Sequence, residues 1–335
     1  MTCSQIYDRY SIVLNVFKSQ ANTKEAKLQI ALAEIPYIRN NLRVLEKSGQ
    51  SRQKGWLHTT GGSGQTWIEI RKQLLRDRES KLTKLLDKIE SNRELLRVNR
   101  AKKQFPVIAV IGYTNCGKTS LIKALTNDQR LVPRNQLFAT LDVTVHTGRL
   151  ASSLRVLYTD TIGFISEIPT ALIHSFKATL SEICFADVIV HVLDVSHPNH
   201  QLHDQTVSQT LDQINVPEKL KNSIIEVSNK IDLVEDQETL QNSNRLLVSA
   251  TQRIGLDQLM DAIEKQIIIN TGRLEKTLRV ANGGLEYQWL YKESAIRESN
   301  VDPNDENYLI LQIYITIEAF AKFKHSFRDS FRELS

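Results

Sequence analysis

The stretch GYTNCGKTS, residues 112–120, limits what this chain can fold into more than any other, because it follows the apolar run FPVIAVI and leads into the amphipathic segment LIKAL. The pattern G-x-x-x-x-G-K-[ST] recurs by chance when it stands alone. Between a strand and a helix it describes a loop whose backbone N–H groups cradle phosphates. Gly112, Tyr113, Thr114, Asn115, Cys116 and Gly117 supply that backbone. Lys118 places a point charge near the β- and γ-oxygens, and Thr119 offers a hydroxyl to Mg²⁺.

Between residues 105 and 270 the apolar runs VIAVI, LRVLYT, DVIVHVLDV, SIIEVS and NRLLVS alternate with helical segments. Continuous apolar runs of this kind belong to strands covered on both faces. The expected fold is therefore α/β, a P-loop domain at residues 104–271 whose mostly parallel sheet carries helices on both faces.

Three further motifs fall at strand ends. In DTIG, residues 160–163, Asp160 is placed to hold Mg²⁺ through water, and the Gly163 N–H to reach a γ-phosphate; Thr161 and Ile162 complete the turn. In NKID, Asn229 ties its loop to the phosphate loop. Lys230 and Ile231 follow, and Asp232 accepts hydrogen bonds from the ring N–H and exocyclic amine of guanine. Adenine has no such donor pair, so a buried carboxylate rejects it. Ser249, Ala250 and Thr251 of LLVSAT face the same base, with Ser249 and the Ala250 N–H aimed at its carbonyl. The motifs imply GTP and GDP as ligands, and hydrolysis of GTP to GDP and phosphate as the reaction. After DxxG many such enzymes carry a glutamine that orients the attacking water, but here the residue is Phe164, so slow intrinsic turnover is expected. Asn115 either helps hold a K⁺ ion beside the phosphates or braces its loop. Cys116 reads as a small packing residue.

Ahead of this domain, Leu28, Ala31, Ile35, Ile38, Leu42 and Leu45 form a helical seam, which Pro36 should kink or interrupt. Ile68, Leu75, Leu82, Ile89 and Leu96 repeat every seven residues. The two segments predict an antiparallel helical hairpin over residues 24–103 with a glycine-rich tip at 48–66. Residues 39–103 hold 17 Lys and Arg against 7 Asp and Glu, a local charge of +10 in a chain of net +5. Either this is a solvated helix face, or it meets a polyanion, with Arg52, Lys54, Trp56, His58 and Trp67 able to engage unpaired nucleotides. After Gly272 the pattern LRV, GLEYQWLYKES, AIRES and YLILQIYITI predicts a small α+β domain over 272–335, with VDPNDEN as a turn. The three cysteines have no metal-ligand spacing, and no apolar run reaches the length of a membrane span. The first residues, MTCSQIYDRYSIVL, lack the character of a transit or signal peptide, so the expectation is either a cytosolic protein or a chain that starts downstream of its targeting segment.

GYTNCGKT, FATLDVT, DTIGF, NKID and VSA together resemble the motif set of the HflX family of ribosome-associated GTPases. The stretch YDRYSIVLNVFKSQANTKEAKLQIALAEIPY resembles that family's segment ahead of the hairpin, so the likeness runs to about residue 270. NCGKT, LFATLDVT and QWLYKES are similar to its vertebrate mitochondrial branch. The resemblance implies that Thr140 joins Thr119 on Mg²⁺, and that Phe138, Ala139, Thr140, Leu141 and Asp142 form a switch closing over the γ-phosphate. It implies a monomer whose hairpin meets rRNA of the large ribosomal subunit near the peptidyl-transferase centre, in subunit splitting or assembly. It also implies a mitochondrial matrix location, with the cytoplasm as second choice, and an N-terminal α/β subdomain of which residues 1–23 are a remnant. The family's loop motif G-P-G-E-T-Q-L-E is GSGQTWIE here, residues 62–69. The competing readings are a GTP-dependent RNA-binding assembly chaperone that does not act on mature ribosomes and a small-molecule phosphotransferase.

Overall fold

The computed structural model describes residues 8–49, 67–102, 105–131, 133, 143–164, 180–234, 244–328 and 331–334. The tip at 50–66, and with it Arg52, Lys54, Trp56 and His58, lies outside the described residues, as do the side chains of Leu45, Trp67 and Leu96. Helices up to residue 102 form one compact unit; the strands from residue 107 onward belong to a second.

The first unit is built from α1 (Arg9–Gln20), α2 (Lys24–Gly49) and α3 (Trp67–Lys102). Asp8 caps α1 by accepting the Ser11 N–H at 2.7 Å, and the Thr23 hydroxyl accepts the Ala26 N–H at 3.1 Å where α2 starts. Ion pairs Arg39–Glu79 at 2.5 Å and Arg93–Glu25 at 2.6 Å run in opposite chain directions, so α2 and α3 are antiparallel. Ile68, Leu75 and Leu82 are buried, as their spacing predicts.

Two expectations for α2 need correction. It has a second covered face: Ala26, Ile30 and Ala33 are buried opposite the stripe of Ile35 and Leu42. The reason is α1, whose Tyr10 hydroxyl donates to the Ala33 carbonyl and whose Tyr10 ring lies 5.7 Å from that of Tyr37. Pro36 does not interrupt the helix, which continues from Lys24 to Gly49. Pro36 is exposed while Ala33 and Ile35 beside it are buried, so packing on both faces holds a helix that lacks one internal hydrogen bond.

In the second unit β1 (Val107–Gly112) is followed by α4 (Lys118–Thr126), β2 (Thr144–Arg149), β3 (Arg155–Asp160) and β4 (Val188–Asp194). Then come α5 (His200–Gln213), α6 (Glu218–Lys221), β5 (Ile225–Asn229), β6 (Leu246–Leu247) and α7 (Leu256–Thr271). The sheet order is β2-β3-β1-β4-β5-β6, parallel except for β2 against β3. All five strands expected from the sequence are present. The sixth, β2, reads TVHTGR; it is an exposed edge strand and carries no apolar run to reveal it.

β1 lies between β3 and β4, so the connections at its end depart to opposite sides of the sheet. Such a reversal opens a crevice beyond the carboxyl ends of the strands, where ligands of open α/β sheets bind. The phosphate loop, DTIG, NKID and the VSA stretch lie at that edge.

The chain continues into β7 (Leu274–Ala281), α8 (Leu285–Glu293), β8 (Ala295–Asp302), β9 (Asp305–Ile315), α9 (Ile317–Ser326) and β10 (Arg332–Leu334). These make an antiparallel sheet of order β10-β7-β9-β8. Its turn is tighter than VDPNDEN suggested, with only Pro303 and Asn304 between strands, because the Asp302 carboxylate accepts the Asn304 N–H at 2.9 Å and pairs with Arg279. Leu278, Leu290, Ile313 and Phe323 fill its core. Ala295 and Tyr314 instead are buried in the core of the six-stranded sheet.

Candidate functional site

The phosphate loop leaves β1 and enters α4 through Gly117, whose φ is +96°, a backbone state that suits glycine. A Cβ there would lie 2.3 Å from Asn229 Nδ2. That nitrogen donates to the Cys116 carbonyl at 2.9 Å, so the NKID loop is tied to the phosphate loop as the sequence implied. Lys230 reinforces the tie, donating to the Asn115 carbonyl at 2.9 Å and pairing with Asp194 at 2.6 Å.

Lys118 is buried and donates to the carbonyls of Gly112 at 3.3 Å and Tyr113 at 3.0 Å. A Cβ on Gly163 would stand 3.1 Å from Lys118 Nζ and 2.8 Å from Thr114 Cα. The absence of a side chain at 163 thus lets its backbone and the ammonium converge, as two donors to one terminal phosphate must. The Thr119 hydroxyl donates to Asp160 at 2.7 Å. One hydroxyl ligand beside a carboxylate able to act through water fits Mg²⁺, which retains several waters and takes its other oxygens from phosphates. Mg²⁺ held there by Thr119, with Asp160 acting through water, would supply positive charge against the negative charge that develops on the phosphate oxygens. Phe138, Ala139, Thr140, Leu141 and Asp142, the remainder of the expected set, lie outside the described residues.

At the base end, the Ser249 hydroxyl donates to Asp232 Oδ1 at 2.6 Å and the Thr251 hydroxyl to Oδ2 at 3.4 Å. The carboxylate is thereby held in one orientation. The Ala250 N–H, expected to aim at a base carbonyl, donates in this structure to Asn229 Oδ1 at 3.1 Å, because the two loops share that amide. Ile231 is buried beneath the loop.

Several residues of the expected set contribute backbone and not side chain. The Thr161 hydroxyl donates to the Val110 carbonyl at 2.8 Å, Ile162 is buried, and Cys116 is fully enclosed, with burial pushing its thiol above the usual cysteine value. The Tyr113 ring stacks on His203 at 3.7 Å between centroids. Phe164 is 1% exposed; its N–H donates to the Gly112 carbonyl at 3.1 Å and its carbonyl accepts the Thr114 N–H at 2.8 Å. The ring is buried and carries no hydrogen-bond donor or acceptor, so Phe164 cannot do the work of a glutamine.

Two residues were missed. Asp194 ends β4 and receives Lys230, and a carboxylate closing the apolar run VIVHVLD was a readable sign. His203, on α5, had none, since its role depends on a helix being laid across the loop.

Residues 107–230 match the family described as 50S ribosome-binding GTPase, and residues 20–100 that described as GTP-binding GTPase Middle Region. GTP-binding protein 6 of Mus musculus is 45% identical over 324 residues, 96% of this chain and 62% of that protein. The chain therefore spans less than two thirds of the length of the vertebrate relatives it matches. GTPase HflX of Caldanaerobacter subterraneus is 35% identical over 298 residues, 89% of this chain and 68% of that protein. GTPase HflX of Lacrimispora saccharolytica is 32% identical over 333 residues, 98% and 76% respectively. With the phosphate loop, DTIG, NKID and VSA assembled at one sheet edge, and with identity of this extent, the chain belongs to the HflX-type family of GTPases.

Proposed function

We propose that the chain is a GTP-hydrolysing switch acting on the large ribosomal subunit, in ribosome splitting and recycling or in assembly of that subunit. The observation that carries the choice of nucleotide is the Asp232 carboxylate, oriented by Ser249 and Thr251 at the end of a tied pair of loops. The ribosomal partner is supported by the +10 charge of residues 39–103 and by the match to a family described as 50S ribosome-binding. Mg²⁺ on Thr119, with Asp160 acting through water, is part of the reading, as is K⁺ beside Asn115. We assign the vertebrate mitochondrial branch on the stretches NCGKT, LFATLDVT and QWLYKES.

Catalysis rests on Lys118 and the Gly163 N–H, which converge where the terminal phosphate would lie, with Thr140 completing the Mg²⁺ shell. Phe164 gives the attacking water no side chain to orient it, so a partner, a cation or another loop must complete the site, and in this reading the ribosome is that partner. Unequal affinity of the GTP and GDP forms for the subunit then drives the cycle.

The test is GTP turnover in K⁺ buffer by the chain alone and with large subunits, small subunits or free rRNA. Completed GTPase sites gain up to about 10⁵-fold, so stimulation by large subunits alone is expected to be plain. Equal stimulation by free rRNA would favour the assembly-chaperone reading; no stimulation by any of them removes the ribosomal one.

A further inference from the structure

At the end of the six-stranded sheet away from the phosphate loop, one strand length or about 17 Å from it, lies a cavity of about 570 Å³ that opens to solvent. Arg149 and Arg155 stand at it, and they are direct partners in the antiparallel register of β2 and β3. Like charges opposite one another across two strands repel. Both side chains are exposed, no carboxylate lines the cavity, and among the described residues neither guanidinium has an ion-pair or hydrogen-bond partner.

Other arginines nearby are engaged. Arg130 holds Asp128 at 3.0 Å, and Arg253 donates to the Ala124 carbonyl at 3.2 Å and to the Asn127 side chain. The second contact matters for ligand chemistry. Leu125, Thr126 and Asn127 bring the carbonyl end of α4 to the cavity, and that negative pole would repel an anion if Arg253 did not cover it. Phe105 adds an aromatic ring to the wall.

We propose that this cavity binds a nucleotide unit of single-stranded RNA, with a phosphodiester between Arg149 and Arg155 and the base against Phe105. Guanidinium pairs match phosphate oxygens in geometry, and an aromatic face accepts any base. No glycine-rich loop or helix N-terminus lines the cavity to chelate a di- or triphosphate. Its position on β2, which ends the sheet among the described residues, lets a strand enter and leave. The cavity is lined by residues of the second unit, and the proposal does not depend on the ribosomal step proposed above.

The experiment uses the full chain saturated with GDP and a fluorescent oligouridylate of about eight nucleotides, titrated by anisotropy across a range of KCl concentrations. Each phosphate neutralised contributes about −0.7 to the slope of log affinity against log salt, so the Arg149→Gln/Arg155→Gln double variant, which releases one phosphodiester, should flatten the slope by about 0.7. The same variant should weaken binding about tenfold while GDP affinity holds, and Phe105→Leu should weaken it about as much through lost stacking. In the unsubstituted protein, a 4-thiouridine probe should cross-link to Phe105 or to residues 144–157. An unchanged slope and affinity, cross-links confined to residues 24–103, or displacement of the probe by free GMP or an acidic peptide as readily as by RNA would each overturn the proposal.

Discussion

Asn229 and Cys116, 113 positions apart in the chain, meet in a hydrogen bond of 2.9 Å that ties the base-reading loop to the phosphate loop. Asn229 is buried and its carbonyl oxygen also accepts the Ala250 N–H, so replacing it leaves two buried partners unsatisfied. Each such loss costs about 1–3 kcal/mol. Asn229→Ala should weaken GDP binding about 10- to 100-fold, measured by fluorescent-nucleotide titration. Gly117→Ala should do the same by pushing that amide away, and unaltered affinity in both variants would show that the tie is dispensable.

Phe164 presents a different trade. Its ring is fully enclosed, and truncating a buried phenylalanine costs about 3–5 kcal/mol. Phe164→Gln adds a buried amide to that loss. The expected variant unfolds at lower urea and hydrolyses GTP no faster than the parent. Faster turnover would mean that the glutamine escapes the core and reaches water.

For base selection, Asp232→Asn exchanges an acceptor for a donor. Guanine then faces an N–H with its own N–H groups, while xanthine, which carries a carbonyl in place of the amine, gains a partner. GDP affinity should fall by about 10²-fold or more, and xanthosine diphosphate should compete better than GDP in the variant. Ser249→Ala removes one of two hydroxyls holding the carboxylate and should cost about tenfold or less. Retained preference for GDP in Asp232→Asn would place the base elsewhere.

His191 sets a pH dependence. It is buried on β4 with Nδ1 3.6 Å from Asp204, but both Asp204 oxygens accept from Arg245 at 2.9 Å, so its charge is already answered. Burial pushes the imidazole down to about 4. The unfolded chain takes up this proton near pH 6.5, the folded one only near 4, so the contribution is complete above about 6.5 and is lost as pH falls through that window. The loss should be on the order of 2–3 kcal/mol. His191→Gln should flatten this part of the pH profile in urea unfolding; parallel profiles for parent and variant would contradict it.

Much of this was legible beforehand, for identifiable reasons. β1, β3, β4 and β5 are covered on both faces and so read as apolar runs, and the phosphate loop, DTIG and NKID occupy their ends. β2 escaped because an edge strand needs no apolar residues, and α9 because Thr316 caps it within the alternating run that ends β9. The second buried face of α2 could not be read from its own sequence, since the cause is α1, whose Tyr10 reaches Ala33 and Tyr37. The Ala250 N–H was assigned to the base by motif alone; only the meeting of two loops shows that Asn229 takes it. His203 on Tyr113 is the same kind of fact, a contact made by topology.

Tyr314 on β9 and Ala295 on β8 have a practical consequence. Their side chains belong to the same buried cluster as Val188, Ile263 and Ile267 of the nucleotide-binding sheet and its helix, and the Tyr314 hydroxyl accepts from Arg297 at 2.9 Å. A recombinant fragment stopping at Thr271, where the phosphate-binding motifs are already complete, would carry an open greasy wound on its underside and should precipitate. Extending the fragment through Leu334 closes it, so the natural place to cut this molecule is ahead of Phe105 and not behind α7.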